Sequence, residues 1–510
     1  MTKSLRGRLL AAVFSAGLAG AFAAPACAET LSDAIALAYE TNPTLQAQRA
    51  SQRALDETYV QARTGWRPTL TLSPQVLYTD VRTPRAATSF FSPATRSHSN
   101  IGDLVITFTQ PIWTGGRTAS AVSAAEGDVL QGRENLRRVE GQLLAAVVQA
   151  YEDVRRDQQS LEIRVEDVGV LQKQLDEARA RFDVGEVTRT DVAQAEAQLA
   201  AVQAQQENAR AQLAISRANY AVLVGQNPGD LAPEPSLATL LPGNVDDAFA
   251  VAEKYNPTLR GQEFAEAASR ARIAQARAER MPRLDLEIQP IYGNAPLDPF
   301  NQGLFSRSIT STVTLTVPLF TGGLTTSRIR QSIEQNNSDR ITIETQRRAV
   351  LQSVTQSWSQ LTAARANITS DTQQERAAQI AAEGTKQELD VGLRTTIDVL
   401  NADIVLRSAQ LGLIAARHDE YVAAAQLLLS MGRLEARNLI PSAPQYDPAH
   451  NLRRLRITWG WVPWEEPISI VDKAIAFPVI PQAKPLPEER QIGPGLQPPP
   501  APQVVAAPKR

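Results

Sequence analysis

LSDAIALAYETNPTL, from Leu31 to Leu45, comes back as VDDAFAVAEKYNPTL from Val245 to Leu259. The likeness continues downstream of both stretches. A shift of 214 residues carries Pro43 onto Pro257, and the same shift carries Pro68, Leu70, Leu72 and Tyr78 onto Pro282, Leu284, Leu286 and Tyr292. Further on the shift is 207: FTQPIWTGG (Phe108 to Gly116) meets LTVPLFTGG (Leu315 to Gly323), and RFDVGEVTRTDV (Arg181 to Val192) meets ELDVGLRTTIDV (Glu388 to Val399). The chain is one structural unit written twice. The first copy carries seven extra residues between Tyr78 and Phe108, where a surface loop accepts added length at little entropic cost.

Each copy has the same order: a short helix, an Asn-Pro break, a second helix, two alternating segments, a very long helix, a glycine turn and a returning helix. Asn42-Pro43 and Asn256-Pro257 end one helix and put proline near the start of the next, where its missing N–H is not needed. The long helix of the first copy is predicted from about Thr118 to Asp183, nearly 100 Å at ~1.5 Å per residue. Within it Val147, Val154, Leu161, Val168, Leu175 and Phe182 recur every seventh residue, and the second copy answers with Val354, Leu361 and Ile368. A strict heptad predicts left-handed supercoiling against neighbouring helices. The returning helices, about Thr190 to Gly225 and Ile397 to Gly432, are too short to match the rods. Their missing length is expected from the helices Thr44 to Arg63 and Thr258 to Glu279, stacked end to end with them.

The alternating segments are sharpest in the second copy. Leu284, Leu286, Ile288 and Ile291 or Tyr292 interleave with Asp285, Glu287 and Gln289; Ile309, Val313, Leu315, Val317 and Leu319 interleave with Thr310, Thr312, Thr314 and Thr316. One face is apolar and the other polar. The first copy repeats this less cleanly in Thr69 to Tyr78 and Leu104 to Ile112. Half of a soluble sheet would satisfy the alternation, but on a rod of this length in an exported protein a lipid-facing barrel wall, its polar side lining water, fits better. Four strands per chain cannot close a barrel with a channel, so several chains must contribute.

Composition narrows the classes. Lys3, Arg6 and Arg8, the small apolar run Leu9 to Ala24 and then Ala26-Cys27-Ala28 read as a secretory signal cut after Ala28. Cys27, the only cysteine, would leave with it, so no disulfide or Cys-based metal site is expected. Lipid attachment at Cys27 is the alternative, though Ala24-Pro25-Ala26 lacks the leucine such sites favour. The formal charge of −2 becomes −5 without Lys3, Arg6 and Arg8, and no basic face for nucleic acid is implied. No run of ~18 apolar residues comes after the signal, which excludes a helical membrane span at this level.

The expected organisation is a signal at 1–28, a first repeat at 29–240 (strands near 67–80 and 101–113, hairpin 118–225), a second repeat at 241–438 (strands near 281–293 and 307–320, hairpin 325–432), and a proline-rich tail at 439–510. About half of the 32 prolines lie past Leu439, which predicts an extended or disordered tail. Its island Ile457 to Trp464, with Trp459, Trp461 and Trp464, is expected to pack against the rods.

Nothing reads as catalytic, and no cofactor is expected. His98, His418 and His450 are scattered, with His98 in an expected outer loop. Thr114-Gly115-Gly116 and Thr321-Gly322-Gly323 lack the Lys-Ser or Lys-Thr that ends a phosphate cradle, and their glycines serve a strand-to-helix reversal. Gly185 and Gly392 end the rods in the left-handed conformation that glycine tolerates. Thr188 with Asp191 and Thr395 with Asp398 have capping-box spacing.

The two strand-pair and long-hairpin units, the NPTL and TGG signatures and the paired DVG turns together resemble the TolC family of outer-membrane channels, including its type I secretion members, over about Leu31 to Asn438. The resemblance implies a mainly α fold with β: a homotrimer in which three chains pool four strands each into one antiparallel outer-membrane β-barrel in lipid, above a long α-helical tunnel across the periplasm of a Gram-negative bacterium. It implies a passive exit duct for protein secretion or multidrug efflux, completed by a periplasmic adaptor (membrane fusion) protein and an inner-membrane transporter, ABC or proton-driven. A periplasmic coiled-coil adaptor is the alternative; it needs no amphipathic strands. By resemblance the hairpin tips form a gate: Asp398 matches a ring aspartate, Arg394 the gate arginine, and Thr190 and Asp191 its partners on the other hairpin. Asn401 stands where the family type has a second ring aspartate, and Leu389 where it has a gate tyrosine. Val184, Gly185, Val391, Gly392 and Leu393, at the extreme ends, are where an adaptor would dock.

Overall fold

The computed structural model describes residues 28–83, 95–294, 305–441, 444–455, 460–474 and 476. The expected signal, apart from Ala28, lies outside the described residues, as do Cys27 and Trp459. The first copy runs α1 (Leu31–Thr41), α2 (Pro43–Arg63), a 3₁₀ turn (Thr64–Trp66), β1 (Thr69–Thr83), β2 (Thr95–Trp113), α3 (Arg117–Asp183) and α4 (Arg189–Val224). The second runs α5 (Val245–Tyr255), α6 (Pro257–Ala278), β3 (Arg283–Asn294), β4 (Phe305–Thr316), α7 (Leu324–Asp390) and α8 (Thr396–Ser430). Three short helices come last: α9 (Ala436–Leu439), α10 (Ala449–Leu455) and α11 (Glu465–Ala474).

The two rods, α3 and α7, are 67 residues each, about 100 Å at ~1.5 Å per residue. α4 and α8 return alongside them and stop halfway, and the Asn-Pro motif supplies the rest. Asn42 Oδ1 accepts from the N–H groups of Thr44 and Leu45, capping α2, while its Nδ2 donates to the carbonyl of Leu223 in the last turn of α4. Asn256 does the same between α6 and α8, accepting from Thr258 and Leu259 and donating to Ser430 O. One amide thus satisfies unpaired groups of two helix ends at once. α4 and α2, and α8 and α6, become continuous struts with dipoles head to tail.

The main core lies where the splices meet the rods. Ile35, Leu45, Leu144, Val147, Tyr151, Tyr220, Leu427 and Leu428 are all buried there. The heptad continues toward the tips through Leu175, packed with Leu171, Ala195, Leu199, Val202 and Leu400, and gives out at the exposed Phe182. α3 touches α2, α4, α6 and α8, which makes it the central rod. α7 keeps Ile341 and Ile380 exposed, and α4 keeps Ile215 and Val222 exposed.

The strands form one antiparallel sheet in the order β1-β2-β3-β4. Within each copy the register is the same under the sequence shifts, since Thr69 opposes Thr109 and Arg283 opposes Thr316.

Several expectations need correction. β2 starts at Thr95, so His98 lies in a strand opposite Asp80 and not in a loop. β4 ends at Thr316, short of Leu319. One helix among those described, α8, is apolar and long enough to cross a membrane by composition; its Leu413, Leu427 and Leu428 are buried in the packing, and Arg407 and His418 pair with carboxylates of α3. Among the described residues of the tail, 449–455 and 465–474 are helical: α11 docks by buried charges, and Pro467 falls in its first turn, where proline costs no hydrogen bond. Proline density hid that helix.

Candidate functional site

Alternation in all four strands places one side of the sheet apolar, exposed along β1 and β4 and half-exposed in between. Leu70, Leu72, Val76 and Tyr78 share that side with Leu104, Ile106 and Phe108, with Leu284, Leu286 and Ile288, and with Ile309, Val313 and Leu315. Val76 is 79% and Val313 61% exposed, an area of apolar surface that a protein in water does not leave uncovered. The opposite side carries Thr69, Thr71, Thr107, Thr109, Glu287, Thr310, Thr312 and Thr314. Lipid on one side and water on the other match that division. β1 and β4 are the outer strands of the sheet, so each has an unpaired edge within the chain.

Below the sheet the two TGG junctions differ. At the first, Asp472 of α11 accepts from the N–H groups of Thr114, Gly116 and Ala119, from Thr114 Oγ1 and from Trp66 Nε1. A carboxylate on the free N–H groups that open α3 is where both hydrogen bonding and the helix dipole favour it. Glu465, fully buried, bridges Arg63 at 2.7 Å and Arg67 at 2.9 Å. Trp464 Nε1 donates to Gln110. Among the described residues the second junction has no such cover: Leu319 and Phe320 are exposed, and a Cβ added at Gly322 or Gly323 has nothing within 4 Å.

At the far end of the rods Gly185 (φ +80°) and Gly392 (φ +76°) reverse the chain. Glu186 N–H donates to Arg181 O and Leu393 N–H to Glu388 O, closing each helix end in the same way. Thr188 N–H and Oγ1 donate to Asp191 Oδ2, and Thr395 N–H and Oγ1 to Asp398 Oδ2. Those hydrogen bonds hold both aspartates below the usual carboxylate pKa. Arg394 pairs with Glu388 of its own hairpin at 2.9 Å, and Thr190 and Asn401 are exposed. Val184, Val391 and Leu393 are bare, Gly185 and Gly392 have open space around them, and Leu389 is half-buried. The two hairpins of the chain are joined beneath the tips by Gln174 Nε2 donating to Asp403 Oδ2 and by Arg407 facing Glu166.

Asp472 and Glu465 are not evident from sequence because their partners lie about 350 to 400 residues away. Glu465, Ile468, Ser469 and Asp472 do fall on one helical face, a weak signal that a solvated helix gives as well. Among the described residues no group of His, Cys, Asp and Glu is placed to hold a metal ion.

A half-lipid sheet on coiled rods of this length defines an outer-membrane channel with a helical extension. The sequence model of the family described as outer membrane efflux protein matches the chain twice, over residues 34–226 and 250–433, and the chain belongs to that family. It is 34% identical over 439 residues to outer membrane efflux protein BepC of Brucella suis biovar 1 (strain 1330), covering 85% of this chain and 92% of BepC. It is 27% identical over 438 residues to outer membrane protein TolC of Vibrio cholerae serotype O1, covering 85% of this chain and 97% of that one. In fold it matches the solved outer membrane protein VceC of Vibrio cholerae with a TM-score of 0.66 and 20% identity, over 79% of this chain and 96% of that one. The protein is an outer-membrane efflux channel of the TolC family in the Gram-negative outer membrane, and not an enzyme. The adaptor alternative is set aside.

Proposed function

We propose that three copies close the barrel and that the resulting duct is a passive conduit gated at the helix tips. The observation that carries this is the repeat itself. β2 opposes β3 with Phe108 against Ile288 and Leu104 against Tyr292. Moving β2 forward by 207 and β3 back by 214 turns that pair into β4 of one copy against β1 of the next, with Val313 opposite Val76 and Leu315 opposite Pro74. In that register apolar residues of the two edges fall on one side, continuing the lipid face. Leu319 and Phe320 shift onto the positions of Ile112 and Trp113, so β4 would lengthen past Thr316 once it has a partner. The exposed isoleucines of α4 and α7 would meet below.

The gate reading rests on Asp398, Arg394, Thr190, Asp191 and Asn401, and the docking reading on Val184, Gly185, Val391, Gly392 and Leu393. Threefold symmetry would gather three Asp398 carboxylates at the mouth and raise its negative potential. A periplasmic adaptor would seat on the bare tips, and an inner-membrane transporter, ABC or proton-driven, would supply the energy. The test is cysteine pairing in a Cys27→Ser background. Val76→Cys with Val313→Cys should give covalent trimers, because opposed strand positions lie about 4.5–5.5 Å apart, whereas Val76→Cys with Ile309→Cys should not. Uncrosslinked chains from the first pair, or linkage from the second, would overturn the arrangement.

A further inference from the structure

One buried histidine bridges the two hairpins, and nothing in the duct described so far uses it. His418 of α8 is 8% exposed. Its Nε2 lies 3.0 Å from Asp153 Oδ1 on α3, and its Nδ1 lies 2.9 Å from Asp419 Oδ1. An ionised carboxylate only accepts, so both contacts are hydrogen bonds only when both ring nitrogens carry hydrogen, and the site favours the imidazolium. Asp153 also pairs with Arg156, Arg156 with Asp157, and Asp157 accepts from Ser216 Oγ on α4. The chain of contacts ties α4, α3 and α8 together.

The surrounding charges favour the bridge. On α3, Glu152 adds negative charge and pairs with Arg155, which also meets Glu234 of the inter-repeat connection. On α8, Glu420 is taken up by Arg365 of α7, and Tyr421 donates to Pro235 O. Burial alone would push the His418 pKa down, and Arg156 acts in the same direction; the hydrogen bonds to Asp153 and Asp419 outweigh them and hold it above the ordinary value. The repeat supplies a control. A shift of 207 places Ala211, Gln212 and Gln360 where His418, Asp419 and Asp153 stand, so the seam between α4 of one copy and α7 of the next cannot form this bridge.

We propose that His418 is a proton-dependent latch on the seam between the two hairpins of each chain, closed in mild acid and released as pH rises. Loss of one ring proton removes the ring's charge and leaves a lone pair facing one of the two carboxylates, which weakens the His418 bridge and leaves Gln174–Asp403 and Arg407–Glu166 as the polar ties between α8 and α3. The folded pKa is raised, so the stabilisation is complete below the unfolded histidine value and disappears as pH passes upward through the folded one. α8 carries Asp398, so release would free the gate hairpin; that consequence rests on the channel reading above, while the latch does not.

The experiment uses the full chain in detergent. Spin labels at Gln174→Cys and Asp403→Cys, again with Cys27→Ser, report the seam, and histidine resonances report the ring, with His98→Gln and His450→Gln assigning the three signals. A single short label distance at pH 6 should broaden by pH 9, the His418 resonance should titrate above 6.5, and Asp419→Asn should move both midpoints to lower pH. His418→Gln should remove the pH dependence of the distance. Label distances that ignore pH, or midpoints that Asp419→Asn leaves in place, would overturn the latch. In planar bilayers the resting conductance should rise several-fold over the same interval. A pH-dependent seam with a resting conductance that does not change with pH would instead sink the gate reading and leave the latch standing.

Discussion

The two copies agree where helices are spliced and part company where strands meet helices. Asn42 and Asn256 make the same three hydrogen bonds to equivalent groups. The TGG turns, equally alike in sequence, end in opposite environments: the first is sealed by α11 and the second is bare. A splice is completed by its own two helices, whereas a junction needs a neighbour. The first junction has two, the α6–β3 connection at Met281 and Pro282 beside Gly115 and the C-terminal α11. The second adjoins β4, the free edge of the chain.

The sharpest way to break that contrast is to unseal the first junction. Glu465→Ala strands Arg67 and leaves Arg63 only the exposed Glu466, and breaking a buried ion pair in this way costs about 3–5 kcal/mol. Thermal unfolding in detergent should fall accordingly. Arg277, which takes the place of Arg63 in the second copy and is half-buried, has no such carboxylate among the described residues, and Arg277→Ala should cost well under the Glu465→Ala loss, about 1 kcal/mol or less. Equal losses in the two variants would mean that α11 does not distinguish the junctions.

A smaller contrast lies at the ends of the returning helices. Gly225 (φ +93°) and Gly432 (φ +69°) are equivalent. An added Cβ at Gly225 meets only Thr41 Oγ1 at 3.4 Å, whereas at Gly432 it runs into the backbone of Tyr255 and Asn256. Gly225→Ala should therefore cost the left-handed penalty alone, about 1–2 kcal/mol, and Gly432→Ala distinctly more, read from the same melts. A reversed order would show that the second splice is the looser one.

The rods, the splices and the polarity of the strands were legible because each is a local pattern: proline after asparagine, an apolar residue every seventh position, alternation with threonine. The heptad ends at Phe182, which is exposed, because period alone does not say where the partner helix stops. α11 was illegible because its strongest signal, acidic residues at helical spacing, is shared by many solvated helices until Arg63, Arg67 and Trp66 come into view. The same holds for His418. A lone histidine says nothing until α3 brings Asp153 to it. At the tips, capping-box spacing foretold the hydrogen bonds of Asp191 and Asp398, yet Arg394 engages Glu388 on its own hairpin, a partner six residues away that spacing did not single out.

The tips offer the finest comparison, since Asp191 and Asp398 make the same caps and differ only in the gate role proposed for them. Asp398→Asn removes the charge while leaving a side-chain oxygen to accept from Thr395, so capping and charge can be separated. Cation block of single-channel current should weaken in that variant and weaken less in Asp191→Asn, with the trimer intact in both. Hydrogen bonds from Thr395 hold the Asp398 carboxyl below the usual aspartate range. The charge is present above that depressed value and lost only as pH falls through it. Block in the unsubstituted channel should therefore persist at acidities where an ordinary aspartate is already protonated, and disappear below them. If Asp398→Asn leaves block unchanged at every pH, the aspartate caps a helix and does nothing at the mouth.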